Sequence, residues 1–143
     1  MEESNNRYIV IEGEVREGLG EAHLFTRLPW AREQFIHKLG IDPYPGTLNL
    51  ELLDDNDIKK YQVIAEQQGI EIVPAGPEYC YAKCFPVFIG DKEAIKGALV
   101  IPLIPGYEKR KAEIISTVRL KDVLSLNTND RVSVKVMLTS PSL

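Results

Sequence analysis

Three short segments of this chain carry residue types at spacings that could hold a metal or an anion. The first is Pro45-Gly46-Thr47-Leu48-Asn49-Leu50-Glu51-Leu52. In an extended strand successive side chains point to opposite faces, so Leu48, Leu50 and Leu52 face one way and Thr47, Asn49 and Glu51 the other. A hydroxyl and an amide oxygen then stand on one polar face, about 7 Å apart at Cα. Neutral oxygen donors of this kind suit Mg²⁺ when the phosphates of a substrate bring the negative charge. A plain solvent-facing strand edge fits the same residues.

The second segment, Gly18-Leu19-Gly20-Glu21-Ala22-His23, follows directly on an apolar stretch. Glycines let the backbone present N–H groups to an anion, because no Cβ blocks the approach. The spacing matches neither a P-loop nor a dinucleotide fingerprint, and taken alone a hairpin connection accounts for it better. The third runs from Tyr107-Glu108-Lys109-Arg110-Lys111 through Ala112-Glu113-Ile114-Ile115 to Arg119-Leu120-Lys121-Asp122. Here Glu113 sits among apolar neighbours, where its surroundings can tune a carboxylate for chemistry. The basic residues around it also fit a solvated loop leading into a strand.

These segments need elements to hold them. Residues 8–15, 22–28, 47–52, 70–73, 79–89 and 98–104 read as strands, and 131–138 alternates Val132, Val134 and Val136 with polar neighbours. A helix should start at Pro29, a residue suited to the first turn, and stop at Gly40. A second is expected over 58–68 after an acidic capping region, closed by Gly69, and a short third one over 120–124. Many short strands without regular alternation with helices predict a mostly-β barrel or sandwich with two or three helical insertions.

At 143 residues the chain is expected to be a single domain. No run approaches the roughly 18 apolar residues that span a bilayer, and the polar, partly acidic start is not a secretory signal, so a cytoplasmic protein without a membrane partner is expected. The net charge of −4 counts against a nucleic-acid partner. Cys80 and Cys84 are the only cysteines; in an extended strand their Cα atoms stand about 13 Å apart. A disulfide needs about 7 Å or less, so two reduced thiols are expected. His23 and His37 are too scattered to complete a zinc site with them.

Taken in order, the segments resemble the archaeal-type CTP-dependent riboflavin kinase family. The resemblance rests on Glu12-Gly13-Glu14-Val15, the Gly-x-Gly-Glu loop at Gly18-Leu19-Gly20-Glu21, and the Leu-Gly-x-x-Pro-Tyr-x-Gly-Thr-Leu-Asn-Leu segment at 39–50. It continues in Val100-Ile101-Pro102, Tyr107, Glu113-Ile114-Ile115 and the Leu-rich stretch at 120–126. It covers nearly the whole chain.

The resemblance implies a six-stranded cradle-loop β-barrel that transfers the γ-phosphoryl group of CTP to the 5′-hydroxyl of riboflavin, giving FMN and CDP. Gly18, Leu19, Gly20, Glu21, Ala22 and His23 would bind the nucleotide together with Val118, Arg119, Leu120 and Lys121. Thr47 and Asn49 would ligate Mg²⁺, while Gly106, Tyr107 and Glu113 would meet the flavin. Glu113 and Glu21 are the candidates for a general base, and the protein is expected to act as a monomer or weak homo-oligomer. Three positions depart from the family pattern: Gly106 replaces a hydroxyl residue, Lys121 an arginine, and Ala112 precedes Glu113 in place of isoleucine. A non-catalytic flavin- or nucleotide-binding barrel therefore stays open as a second reading. A DNA-binding barrel is a third, against which the acidic balance counts.

Overall fold

The computed structural model describes residues 7–18, 21–90, 95–107 and 110–138, with Glu21 as backbone only. Seven strands form one antiparallel sheet: β1 Arg7–Arg16, β2 Leu48–Glu51, β3 Ile70–Ile72, β4 Ala82–Ile89, β5 Ile95–Pro102, β6 Lys111–Ile115 and β7 Arg131–Leu138. Their order is β3-β4-β5-β6-β2-β1-β7, and β7 also pairs with β4. Six strands thereby close into a barrel, with β3 appended outside the ring. The closure depends on a change of partner along one edge of β4. Residues 82–84 pair with β3 and residues 87–89 with β7, and Pro86, which has no N–H to donate, lies between the two pairings.

Period-two alternation fills the barrel. Ile11 and Val15 of β1, Leu48 and Leu50 of β2 with Leu52 just beyond it, and Val132, Val134 and Val136 of β7 all point into one core with Val87, Leu99 and Ile114. A second apolar layer lies outside the barrel wall. There Ala22, Phe25, Ala31, Phe35 and Leu39 pack on Ala98, Val100 and Ile115. The central strands β5 and β6 are thus covered on both faces, which is why they read as continuous apolar runs and not as alternating ones.

The outer layer is helical throughout. Residues 22–28, expected as a strand, belong instead to a 3₁₀ segment, Glu21–Arg27. At three residues per turn Ala22 and Phe25 fall on one face, and both are buried while Leu24 between them is exposed. Helix α1, Pro29–Gln34, carries Pro in its first turn and runs straight into a π-helical turn, Phe35–Leu39, that ends at Gly40 in the left-handed region. Helix α2, Asp55–Glu66, begins three residues earlier than its apolar pattern suggests, because the Asp54 side chain accepts from the Asn56 N–H at 2.9 Å and caps it. Helix α3 is the single turn Leu120–Val123.

Strand β4 starts at Ala82, not at Tyr79, since a turn occupies the residues before it, with the Tyr79 N–H donating to the Gly76 carbonyl. Cys80 therefore lies outside the strand that holds Cys84. Both thiols are free, and burial pushes the Cys84 thiol well above its ordinary value. Among the described residues no helix is long and apolar enough to cross a membrane.

The tightest approach in the wall is at Gly97 of β5, where a Cβ would stand 2.5 Å from the Ile115 carbonyl oxygen of β6. Backbone atoms cannot step aside as a flexible side chain would. Gly97→Ala should lower stability by about 1–3 kcal/mol, read as an earlier urea midpoint at unchanged slope. A midpoint equal to that of the parent would show that β5 and β6 are not so closely apposed.

Candidate active site

The chemistry-bearing residues converge on the outer face of β1, β2 and β6. Register places Arg16 beside Asn49, and Asn49 beside Glu113, in one row across the three strands. The polar face of β2 is not an open edge. The Glu21–Arg27 segment and the preceding loop cover it, leaving Asn49 only 8% exposed and Glu113 fully buried.

A buried carboxylate needs donors. Glu113 has two: the Ala22 N–H donates to Oε1 at 3.1 Å, and the Tyr107 hydroxyl donates to Oε2. One strand residue thus ties together the start of the 3₁₀ segment and the loop that follows β5. Beside it, Asn49 Nδ2 donates to the Gly18 carbonyl at 2.6 Å, which anchors the end of the glycine loop to β2. Thr26 extends the same web, donating to the His23 carbonyl at 2.7 Å and accepting from the Gly46 N–H at 3.2 Å.

The amide orientation that Gly18 imposes turns Asn49 Oδ1 toward Thr47, whose Oγ1 lies 3.2 Å away. Neighbouring ligands of an octahedral Mg²⁺ at about 2.1 Å stand roughly 3 Å apart. The pair therefore fits two adjacent coordination positions. Among the described residues no cluster of three or more His, Cys, Asp or Glu could hold a metal, so further ligands would have to come from a bound anion or from water.

Two cavities flank this row. The first, of about 230 Å³, is walled by Gly18, His23, Thr47 and the stretch from Val118 to Lys121, with Tyr44, Gly46 and Ser116 among its other members. Its charged lining consists of Arg119, ion-paired with Asp122 outside the lining, and Lys121, with no carboxylate in the wall itself. In a chain of net charge −4, that local balance favours an anion. The second cavity, of about 470 Å³, lies between α2 and the end of β5, walled by Tyr61, Ala65, Ile101, Ile104, Gly106 and Tyr107 among others. Glu113 lines neither cavity; its Oε1 accepts from Ala22, the neighbour of His23 in the first wall, and its Oε2 from Tyr107 of the second.

Comparison with known proteins shows the family. The model of the CTP-dep_RFKase family, described as Domain of unknown function DUF120, matches residues 15–136. The chain belongs to the CTP-dependent riboflavin kinase family. It is similar to the protein named riboflavin kinase of Archaeoglobus fulgidus, 39% identical over 133 residues, covering 91% of this chain and 55% of that protein. It is also similar to the riboflavin kinases of Sulfolobus acidocaldarius, at 32% over 139 residues covering 94% and 86%, and of Sulfurisphaera tokodaii, at 35% over 132 residues covering 90% and 95%. The chain thus spans about 55% of the length of some curated relatives and most of others.

Within this family frame, the structure brings Gly18, His23, Thr47, Val118, Arg119, Leu120 and Lys121 around one cavity, and Gly106 and Tyr107 around the other. Leu19, Gly20, Lys109 and the Glu21 side chain lie outside the described residues. Arg110 and Lys111, the described part of the basic run, line neither cavity. The departure at Gly106 has a backbone reason: the chain turns there at φ +81, a conformation a hydroxyl residue adopts only with strain. Sequence reasoning missed Tyr44, Pro45 and Ser116 as lining residues. It also missed α2 as a wall, because Tyr61 reads simply as an inward-facing helix residue.

Thr47 and Asn49 do not carry the same structural burden, although both point away from the apolar face of β2. Thr47→Val removes one oxygen and should leave stability within about 0.5 kcal/mol. Asn49→Leu also strips the donor from the Gly18 carbonyl and should cost about 1–2 kcal/mol. Thermal unfolding of the two variants side by side checks this, and equal midpoints would contradict the anchoring role of Asn49.

Proposed function

We propose that this chain is a CTP-dependent riboflavin kinase. The reading rests above all on the first cavity, whose lining brings Thr47, Gly18 and the cationic Arg119 and Lys121 together without a carboxylate, with Asn49 bonded to Thr47 and to the Gly18 carbonyl. That combination suits a nucleotide triphosphate. Arg119 and Lys121 would meet its phosphate charge, and the buried His23 Nδ1, without a partner among the described residues, would take a polar atom of the nucleotide. CTP as donor is what the family's name supports.

In this reading Thr47 and Asn49 would hold Mg²⁺, which would supply positive charge to offset that of the phosphates. The second cavity receives riboflavin, its apolar walls of Ile101, Ile104 and Ala65 taking the flat ring. The 5′-hydroxyl oxygen forms a bond to the γ-phosphorus as the β–γ bridge bond breaks, and CDP leaves. Phosphoryl transfer of this kind asks for positioning and charge stabilisation more than for covalent help from the protein. Glu113, held on both oxygens, would act on the attacking hydroxyl through Tyr107, which lines the second cavity. Of the two candidates for a general base, it is the one whose side chain has a described position.

The test is FMN formation from riboflavin, Mg²⁺ and either CTP or ATP. Turnover with CTP is expected, and Thr47→Val should lower it about 100-fold or more while riboflavin binding persists. Riboflavin binding without turnover under any nucleotide would replace the kinase with a flavin-binding barrel, and turnover with ATP alone would overturn the choice of donor.

A further inference from the structure

Two buried side-chain polar atoms lack a hydrogen-bond partner among the described residues: His23 Nδ1 and the Tyr61 hydroxyl. Each belongs to a residue that walls one of the two cavities. His23 falls within the nucleotide stretch. Tyr61 has no assigned task, and packing alone does not account for its hydroxyl.

Tyr61 lies on α2, is 3% exposed and packs into the barrel core. A phenylalanine would supply the same ring without leaving a desolvated hydroxyl unpaired, which is costly in a protein interior. The hydroxyl also sits within the field of the Glu113 carboxylate, which together with burial pushes its ionisation far upward. It thus remains a neutral O–H that can donate and accept. Its ring borders the same cavity as Gly106 and Tyr107, and Tyr107 is the residue that donates to Glu113.

We infer that Tyr61 is a specificity-determining residue of the acceptor site, its hydroxyl pairing with a hydroxyl of the acceptor's polyol chain when the second cavity fills. The inference rests on the riboflavin reading of that cavity. The shared wall selects the polyol over the ring: Tyr61 lines the cavity together with Tyr107, whose hydroxyl donates to Glu113, and a polar chain suits these two hydroxyl-bearing walls. The ring goes to the apolar walls of Ile101 and Ile104. In the ligand-free chain the hydroxyl is closed off from solvent, so the acceptor reaches it as the wall adjusts.

The experiment compares the parent with Tyr61→Phe in three measurements. Unfolding without ligand should give a midpoint for the variant equal to or above that of the parent, because an unpaired hydroxyl has been removed. A fall would mean that the hydroxyl has a protein partner and would overturn the inference. Fluorescence titration with riboflavin should show about tenfold weaker binding to the variant, the loss of one hydrogen bond. Titration with lumiflavin, the same ring system without the polyol, should give equal affinities for the two proteins. Equal riboflavin affinities, or an equal loss with lumiflavin, would overturn the inference while leaving the kinase reading intact. A parent that neither binds nor phosphorylates riboflavin would overturn both.

Discussion

The architecture of the site depends on a carboxylate withdrawn from water. Glu113 is fully buried, and an ionised group in such a place is tolerable only if its hydration is replaced by fixed donors. One comes from the backbone at Ala22 and the other from the Tyr107 hydroxyl. Each donor belongs to an irregular segment that sheet pairing alone would not hold. The desolvation of one side chain thereby dictates where the 3₁₀ segment begins and where the loop after β5 comes to rest. It also fixes the partition between the two cavities, since those segments form their walls.

A second set of contacts keeps the glycine loop, the strand and the turn before it in common register. Asn49 holds the Gly18 carbonyl, and Thr26 joins the His23 carbonyl to the Gly46 amide. Two of these three bonds, Asn49 to Gly18 and Gly46 to Thr26, join segments far apart in sequence. Displacement of any one segment would strain the others, which is the property that a site working by positioning requires.

How far these features could be read from the sequence differs from residue to residue. The alternation of Leu48, Leu50 and Leu52 with Thr47, Asn49 and Glu51 gives the inward and outward faces of β2 correctly, because a strand's period of two leaves no choice of face once the core side is known. It does not show that the outward face is covered, which depends on a helical layer from elsewhere in the chain. Residues 22–28 misled because short apolar runs carry no clear period, and contact with β5 and β6 decides their conformation. Glu113 looked unusual for its apolar neighbours, yet its two donors are distant in sequence or fall in a loop. Tyr61 shows the opposite case, a residue whose inward position was legible and whose orphaned hydroxyl was not.

The ring of strands is completed by its two extremes. Strand β1 pairs along its length with β7, from Arg7 opposite Leu138 to Glu14 opposite Arg131, and only β7 reaches back to β4. During synthesis the chain must therefore wait for its last strand before the barrel can shut, and bringing ends so far apart together carries a loop-closure cost that local contacts cannot offset. A ribosome-bound chain truncated before Arg131 would hold an open sheet with β1 unpaired on one edge. Closure of the barrel would thus be a late and concerted step that waits for β7, and not a piece-by-piece addition of strands.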